Sequence, residues 1–166
     1  EGLRTVAACL EKYGTQVIIL PVDLAQPDQQ QGLIATVLEK FGQIDILINN
    51  AALETEGAYL DLPWQEINET VQVNLLAPMA LTYHVLPHML TRKQGHIVNI
   101  ASVGAKNGIA YDALYCGTKA GLSEWSRAMR LEFAGTGIRF STVFPAYVTG
   151  VGMFAKFNLA PPPLIG

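Results

Sequence analysis

The sequence predicts an α/β chain built on an open, doubly wound parallel sheet. Two observations carry that prediction: short runs rich in Ile and Val, and helical stretches that lie between them. Strands that alternate with helices of this length need right-handed crossovers, which lay the strands parallel. A third observation, the absence of any repeat, charge block or low-complexity linker, makes residues 1–166 one domain or part of one.

The elements follow in order. The chain opens inside a helical stretch, and residues 16–20 (QVIIL) read as the first strand. Residues 27–41 repeat apolar side chains on one helical face at Leu33, Ile34, Val37, Leu38 and Phe41, and Gly42 supplies the stop. Residues 44–49 (IDILIN) and 96–101 (HIVNIA) are nearly continuous in apolar character, which predicts strands buried on both faces. Between them, residues 63–92 form a long helical stretch in which Pro78 and Pro87 predict kinks or a break. Residues 112–134 form the next helix, ended by Gly135 and Gly137, and residues 138–144 (IRFSTVF) the last strand. Trp64 and Trp125 are expected to pack on helix faces.

Composition narrows the function. With 14 acidic and 11 basic side chains, the net charge of −3 argues against a nucleic-acid partner. Half of the residues are hydrophobic and 15% are charged, which gives a packed core and excludes disorder. No apolar run approaches the roughly 20 residues of a membrane span, and the first residues lack a secretory pattern, so a soluble, cytoplasmic protein without a membrane partner is expected. Cys9 and Cys116 stand far apart without a C-x-x-C spacing, and reduced thiols are expected.

In such sheets ligands bind beyond the carboxyl ends of the strands. Asp23, residues 49–52, residues 101–103 and residues 145–149 each follow a predicted strand there. Near the start of the helix at 112–134, Tyr115 and Lys119 are four residues apart and so share a face. An ammonium beside the phenol predicts a tyrosine pKa lowered toward a range useful for proton transfer. Alone, the pair is weak: chance supplies about 0.2 such spacings in a chain of this composition. Ser102 ends the HIVNIA strand thirteen residues before Tyr115, Asn74 lies in the long helix, and Asn49-Asn50-Ala51-Ala52 closes the strand before it. Taken singly, Asn74 reads as a polar residue satisfied within a helix, and Ser102 and Asp23 as caps or turn residues.

Taken together, strand-end NNA, helical Asn, strand-end Ser and Tyr-x-x-x-Lys resemble the short-chain dehydrogenase/reductase family over residues 23–149. The likeness extends to its single-domain oxidoreductases of the 3-oxoacyl carrier-protein reductase type. It implies a Rossmann-like sheet, NAD or NADP as cofactor, and a small alcohol or carbonyl compound as substrate. Tyr115 would then be the acid/base, Ser102 would hold the substrate oxygen, Lys119 would hold the nicotinamide ribose and tune Tyr115, and Asn74 would anchor a water behind Lys119. Asp23 and Leu24 match the adenine contacts, Asn50 and Ala51 the segment lining its ribose, and Pro145 and Val148 the turn beside the carboxamide. Ala52 and Ala146 stand where the family usually has Gly. A methyl is tolerable at either if φ is negative. Epimerisation or dehydration on the same fold stays open as an alternative chemistry.

Other candidates are weaker. His84 and His88 have a metal-like spacing, yet no third ligand is evident and Pro87 lies between them, so no metal site is expected. Cys116 should point away from Tyr115. Gly150-x-Gly152-x-x-Ala155 satisfies a dinucleotide fingerprint in letters only, because no strand precedes it. The family carries its fingerprint ahead of the first helix seen here, so the sheet is expected to be incomplete, with residues 16–20 lacking a neighbouring strand. A non-catalytic fragment is the alternative to an active enzyme. The resemblance also implies that the intact parent is a homo-oligomer joined through its two long helices, with Leu81, Val85, Trp125 and Met129 as exposed apolar positions. The expected substrate lining, Ile109, Tyr111, Leu114, Tyr147, Met153 and Phe154, is mostly apolar.

Overall fold

The computed structural model describes residues 2–146. Helices α1 (Gly2–Glu11) and α2 (Pro27–Phe41) precede strand β1 (Ile46–Asn49). A continuous helical run then passes from α3 (Trp64–Val71) through a π-helical turn (Gln72–Leu76) to α4 (Ala77–Arg92) and delivers the chain to β2 (Gly95–Ile100). Helix α5 (Ala113–Glu132) joins β2 to β3 (Ile138–Val143). The three strands are parallel in the order β1-β2-β3. Asn49 lies opposite Asn99, and Ile100 opposite Val143, so the strands finish nearly level and the loops that follow them gather at one edge.

Local chemistry explains the elements. Pro27 opens α2 where its missing N–H costs nothing, Asp28 complements the helix dipole, and Gly42 at φ +77° closes it with an N–H to the carbonyl of Leu38. Ile97, Ile138 and Phe140 pack against Ile34 of α2 and Leu81, Val85, Leu86 and Met89 of α4. Each such aliphatic side chain contributes about 1.5 to 3 kcal/mol relative to exposure. Trp125 meets Phe140 edge to face, with 6.4 Å between ring centroids.

The long helix departs from expectation in an instructive way. Pro78 has no N–H for the carbonyl of Asn74, and just before it Ala77 reaches back five residues to the carbonyl of Gln72, widening the helix into the π turn. Pro87 neither breaks α4 nor ends it. It sits on the exposed side, where water can satisfy the carbonyl that the ring frees.

Four expectations are corrected. Residues 16–20 form no strand, and among the described residues no ladder includes them. Strand β1 is not buried on both faces: α2 and α4 cover the side bearing Leu47 and Ile97, whereas Ile46 and Ile48 on the other side are 56% and 59% exposed, and the same side of β2 is half-buried. Leu81 and Val85 are core residues and not exposed positions, because they face the sheet. Trp64, at the start of α3, is 76% exposed and so lies mostly in solvent.

Candidate active site

Tyr115 and Lys119 lie in the first two turns of α5, and both are buried. The Lys119 Nζ sits 5.6 Å from the centroid of the Tyr115 ring and donates to the carbonyl of Ile100 at 2.8 Å. Burial removes water from this ammonium and pulls its pKa down to about 8. The phenol of Tyr115 is raised above its ordinary value, chiefly by burial, and by the nearby charges of Glu54 and Asp112 and by Cys116. A hydrogen bond with the Ser102 hydroxyl opposes the rise. The expectation of a lowered tyrosine pKa is therefore corrected: desolvation outweighs the favourable contacts, and the lysine's hydrogen bond goes to Ile100.

Ser102 stands in extended backbone just past β2. Its Oγ accepts the Gly104 N–H at 3.1 Å and so caps the 3-10 turn at Val103–Ala105. The N–H groups of Ala101 and Val103 donate to the carbonyls of Val143 and Pro145, which holds this strand end against the chain leaving β3. Ser102 is thus both a cap and a neighbour of Tyr115.

Asn74 projects from the π turn and is wholly buried. Its Oδ1 accepts the Leu53 N–H and its Nδ2 donates to the Leu53 carbonyl, both at 2.8 Å. The same Nδ2 donates to Thr118 Oγ1 at 3.2 Å, and Thr118 Oγ1 donates to the carbonyl of Tyr115 at 2.9 Å. A second tie holds the same loop, between the hydroxyls of Thr55 and Thr70 at 2.7 Å, and a third runs from the Gly57 N–H to the carbonyl of Tyr111. On the sheet, Asn49 Nδ2 donates to Asn99 Oδ1 at 2.8 Å, linking β1 to β2 below the loops.

The remaining expected residues spread along the same edge. Asn50 and Ala51 are exposed just past β1. Asp23 is exposed before α2, where its Oδ1 accepts the Ala25 N–H at 2.9 Å and its own N–H donates to Gln29. The Leu24 carbonyl accepts from Gln30 Nε2. Ala52 and Ala146 are not among the residues with positive φ, so their methyl groups fit. Ile109 and Tyr111 are exposed near the start of α5, and Tyr111 adopts φ +64°. Tyr147, Val148, Met153, Phe154 and the Gly150 to Ala155 pattern lie outside the described residues.

The short chain dehydrogenase family model matches residues 1–161. The chain belongs to this family. Among its relatives, the ketoacyl reductase HetN of Nostoc sp. (strain PCC 7120) is 39% identical over 165 residues, which is 99% of this chain and 58% of that protein. Mouse dehydrogenase/reductase SDR family member 7B is 31% identical over 87% of this chain and 45% of its own length. A metagenomic short-chain oxidoreductase solved in complex with NADP superimposes with a TM-score of 0.82 at 31% identity, covering 88% of this chain and 66% of that one. The chain therefore spans about half the length of the curated relatives it matches, 58% of one and 45% of the other.

Within this short-chain dehydrogenase frame, three participants escaped the sequence reading. Thr118 was visible only as a polar residue on the buried face of α5, three residues after Tyr115. The backbone of Leu53 carries no side-chain signal at all. Asp112 occupies the N-cap of α5 but makes no cap hydrogen bond with its side chain. Its Oδ2 instead faces the Cys116 thiol at 3.6 Å, and burial raises the pKa of both groups. Among the described residues no group of three or more His, Cys, Asp or Glu is placed to hold a metal, and no helix is long and apolar enough to cross a membrane.

Proposed function

We propose that the protein carrying this chain interconverts an alcohol and a ketone or aldehyde with NAD or NADP, on the set Ser102, Tyr115, Lys119 and Asn74. The carrying observation is the buried phenol of Tyr115, beside Ser102 and beneath the ammonium of Lys119. When bound, the dinucleotide supplies or accepts the hydride. Toward the cofactor, the donor chemistry fits: of the three ammonium donors of Lys119, Ile100 takes one, leaving two for ribose hydroxyls. Asn50, Ala51, Asp23, Leu24, Pro145 and Val148 would hold the rest of the dinucleotide.

In reduction, Tyr115 gives its proton to the carbonyl oxygen as hydride reaches the carbon, and Ser102 holds that oxygen. The raised pKa suits this direction, since the phenol is protonated at neutral pH; as a base for oxidation, Tyr115 needs more alkaline solution. Lys119 then returns a proton toward Tyr115. The carbonyl of Asn74, freed because Pro78 cannot donate to it, is an acceptor for a water behind Lys119. The ketoacyl reductase relatives support a ketone as substrate, and the mostly apolar Ile109, Tyr111 and Leu114 support a hydrophobic one. We place the chain in one domain of a cytoplasmic homo-oligomer.

The test is Tyr115→Phe in the full-length protein, assayed with NADH and NADPH on 3-oxoacyl thioesters and simple ketones. A fall in kcat of about 10²- to 10⁴-fold is expected with the fold retained, and near-normal turnover would overturn the assignment. Because the chain spans 58% of HetN, a second reading applies to these 166 residues by themselves: a non-catalytic piece. Micromolar binding of NAD(P)H by the chain alone would remove that reading.

A further inference from the structure

We propose that Thr118 is a positioning residue whose hydroxyl ties the turn of α5 bearing Tyr115 to Asn74, and through Asn74 to the loop that follows β1. The inference rests on the reading of Tyr115 as acid/base. A buried helical threonine ordinarily donates to a carbonyl in the preceding turn, as Thr118 does to Tyr115 at 2.9 Å. Its distinguishing feature is the second bond. Having given its only proton to Tyr115, the oxygen can only accept from Asn74, which it does at 3.2 Å across 44 residues of sequence.

That direction orders the whole chain of bonds. The amide of Asn74 has one orientation in which Nδ2 serves both the Leu53 carbonyl and Thr118 while Oδ1 takes the Leu53 N–H. Flipping it would set its oxygen against the Leu53 carbonyl and its NH2 against the Leu53 N–H, at a side chain that is wholly buried. The loop after β1 holds Asn50 and Ala51, proposed to line the cofactor ribose, and the α5 turn holds Tyr115. Thr118 therefore fixes the acid relative to the cofactor segment. The bond between Thr55 and Thr70 and the one from Gly57 to Tyr111 keep the loop in place independently, so loss of the Thr118 oxygen should loosen the Tyr115 turn rather than unfold the loop.

The test compares Thr118→Val, Thr118→Ser and Tyr115→Phe in the full-length protein with a ketone substrate and NADPH. Thr118→Val keeps the shape and removes the oxygen; a misplaced acid should cost about 10- to 100-fold in kcat with KM little changed. Thr118→Ser should recover most of that loss. The pH profile provides a readout that a merely structural role would not move. The phenol is faced by Ser102 from the end of β2, Glu54 from the loop after β1, Asp112 and Cys116 from α5, and Lys119 above its ring, and weaker contact with Ser102 should move the alkaline limb upward in Thr118→Val. If Tyr115→Phe abolishes turnover while Thr118→Val is normal, or if Thr118→Ser restores nothing, the inference fails. If Tyr115→Phe itself stays active, the acid/base reading is the part that fails. Should Thr118→Val not fold, Thr118→Cys, with similar bulk and a weaker acceptor, carries the same comparison.

Discussion

Lys119 lies over the ring of Tyr115, with its ammonium nitrogen 5.6 Å from the ring centroid, and its hydrogen bond goes to the carbonyl of Ile100. The end of β2 thus holds the cation that α5 presents, and the pair is set by two elements at once. This arrangement has a cost. A lysine that is 2% exposed with one acceptor is poorly compensated for lost water, which is why its pKa falls to about 8.

The first prediction follows from that cost. Between about 8 and its ordinary 10.5, the unfolded chain binds a proton on Lys119 that the folded chain does not, so stability rises with pH across this window. Below it, the folded state carries a penalty of up to about 3 kcal/mol. Lys119→Met should raise the urea midpoint at pH 7 and flatten its increase between about pH 8 and 10.5. An unchanged slope would place the origin of the effect elsewhere.

The strands 46–49, 95–100 and 138–143, helix α2 and the spacing of Ser102, Tyr115 and Lys119 were legible because each rests on a local pattern: Ile/Val runs, apolar periodicity closed by Gly42, and a four-residue offset. What was not legible depends on tertiary burial. The charge behaviour of Tyr115 turned on how much water is removed around it, which no spacing reports. Leu81 and Val85 looked like an outer stripe because the direction of α4 relative to the sheet is not written in its period. Residues 16–20 have strand composition but no partner among the described residues, and a strand is defined by its partner. The Asn74 to Leu53 clamp runs partly through backbone, where side-chain patterns are silent.

Two glycines before β3 give the second prediction. Gly135 at φ +79° has open space beside it, whereas a Cβ on Gly137, at φ +88°, would run into the backbone carbonyl of Lys93. Gly135→Ala should cost about 1 kcal/mol for the left-handed backbone alone, and Gly137→Ala distinctly more, because the last residue after α4 would have to move. Thermal melting of the two variants decides it. Equal shifts would show that the close approach of Lys93 is relieved without cost.

The third prediction concerns association. Helices α2, α4 and α5 enclose an open groove of about 730 Å³ walled by Met79, Leu86, Trp125 and Met129, with Leu76 and Tyr83 at its rim. Tyr83 is 75% exposed, a large apolar side chain held at the edge of an apolar groove, and such surfaces mark interfaces. A two-fold pairing of copies across α4 and α5 would present every residue of this face twice, so one substitution acts on both sides. Leu76→Glu combined with Tyr83→Glu would put four carboxylates into that contact. A weakening of about 100-fold or more in the dissociation constant is expected, since unpaired charges are buried against apolar partners. Sedimentation velocity at micromolar concentration should show dimers or larger species for the full-length protein and monomers for the double variant, with equal helix content by circular dichroism. A monomeric parent, or a double variant that stays associated, would move the interface away from this groove.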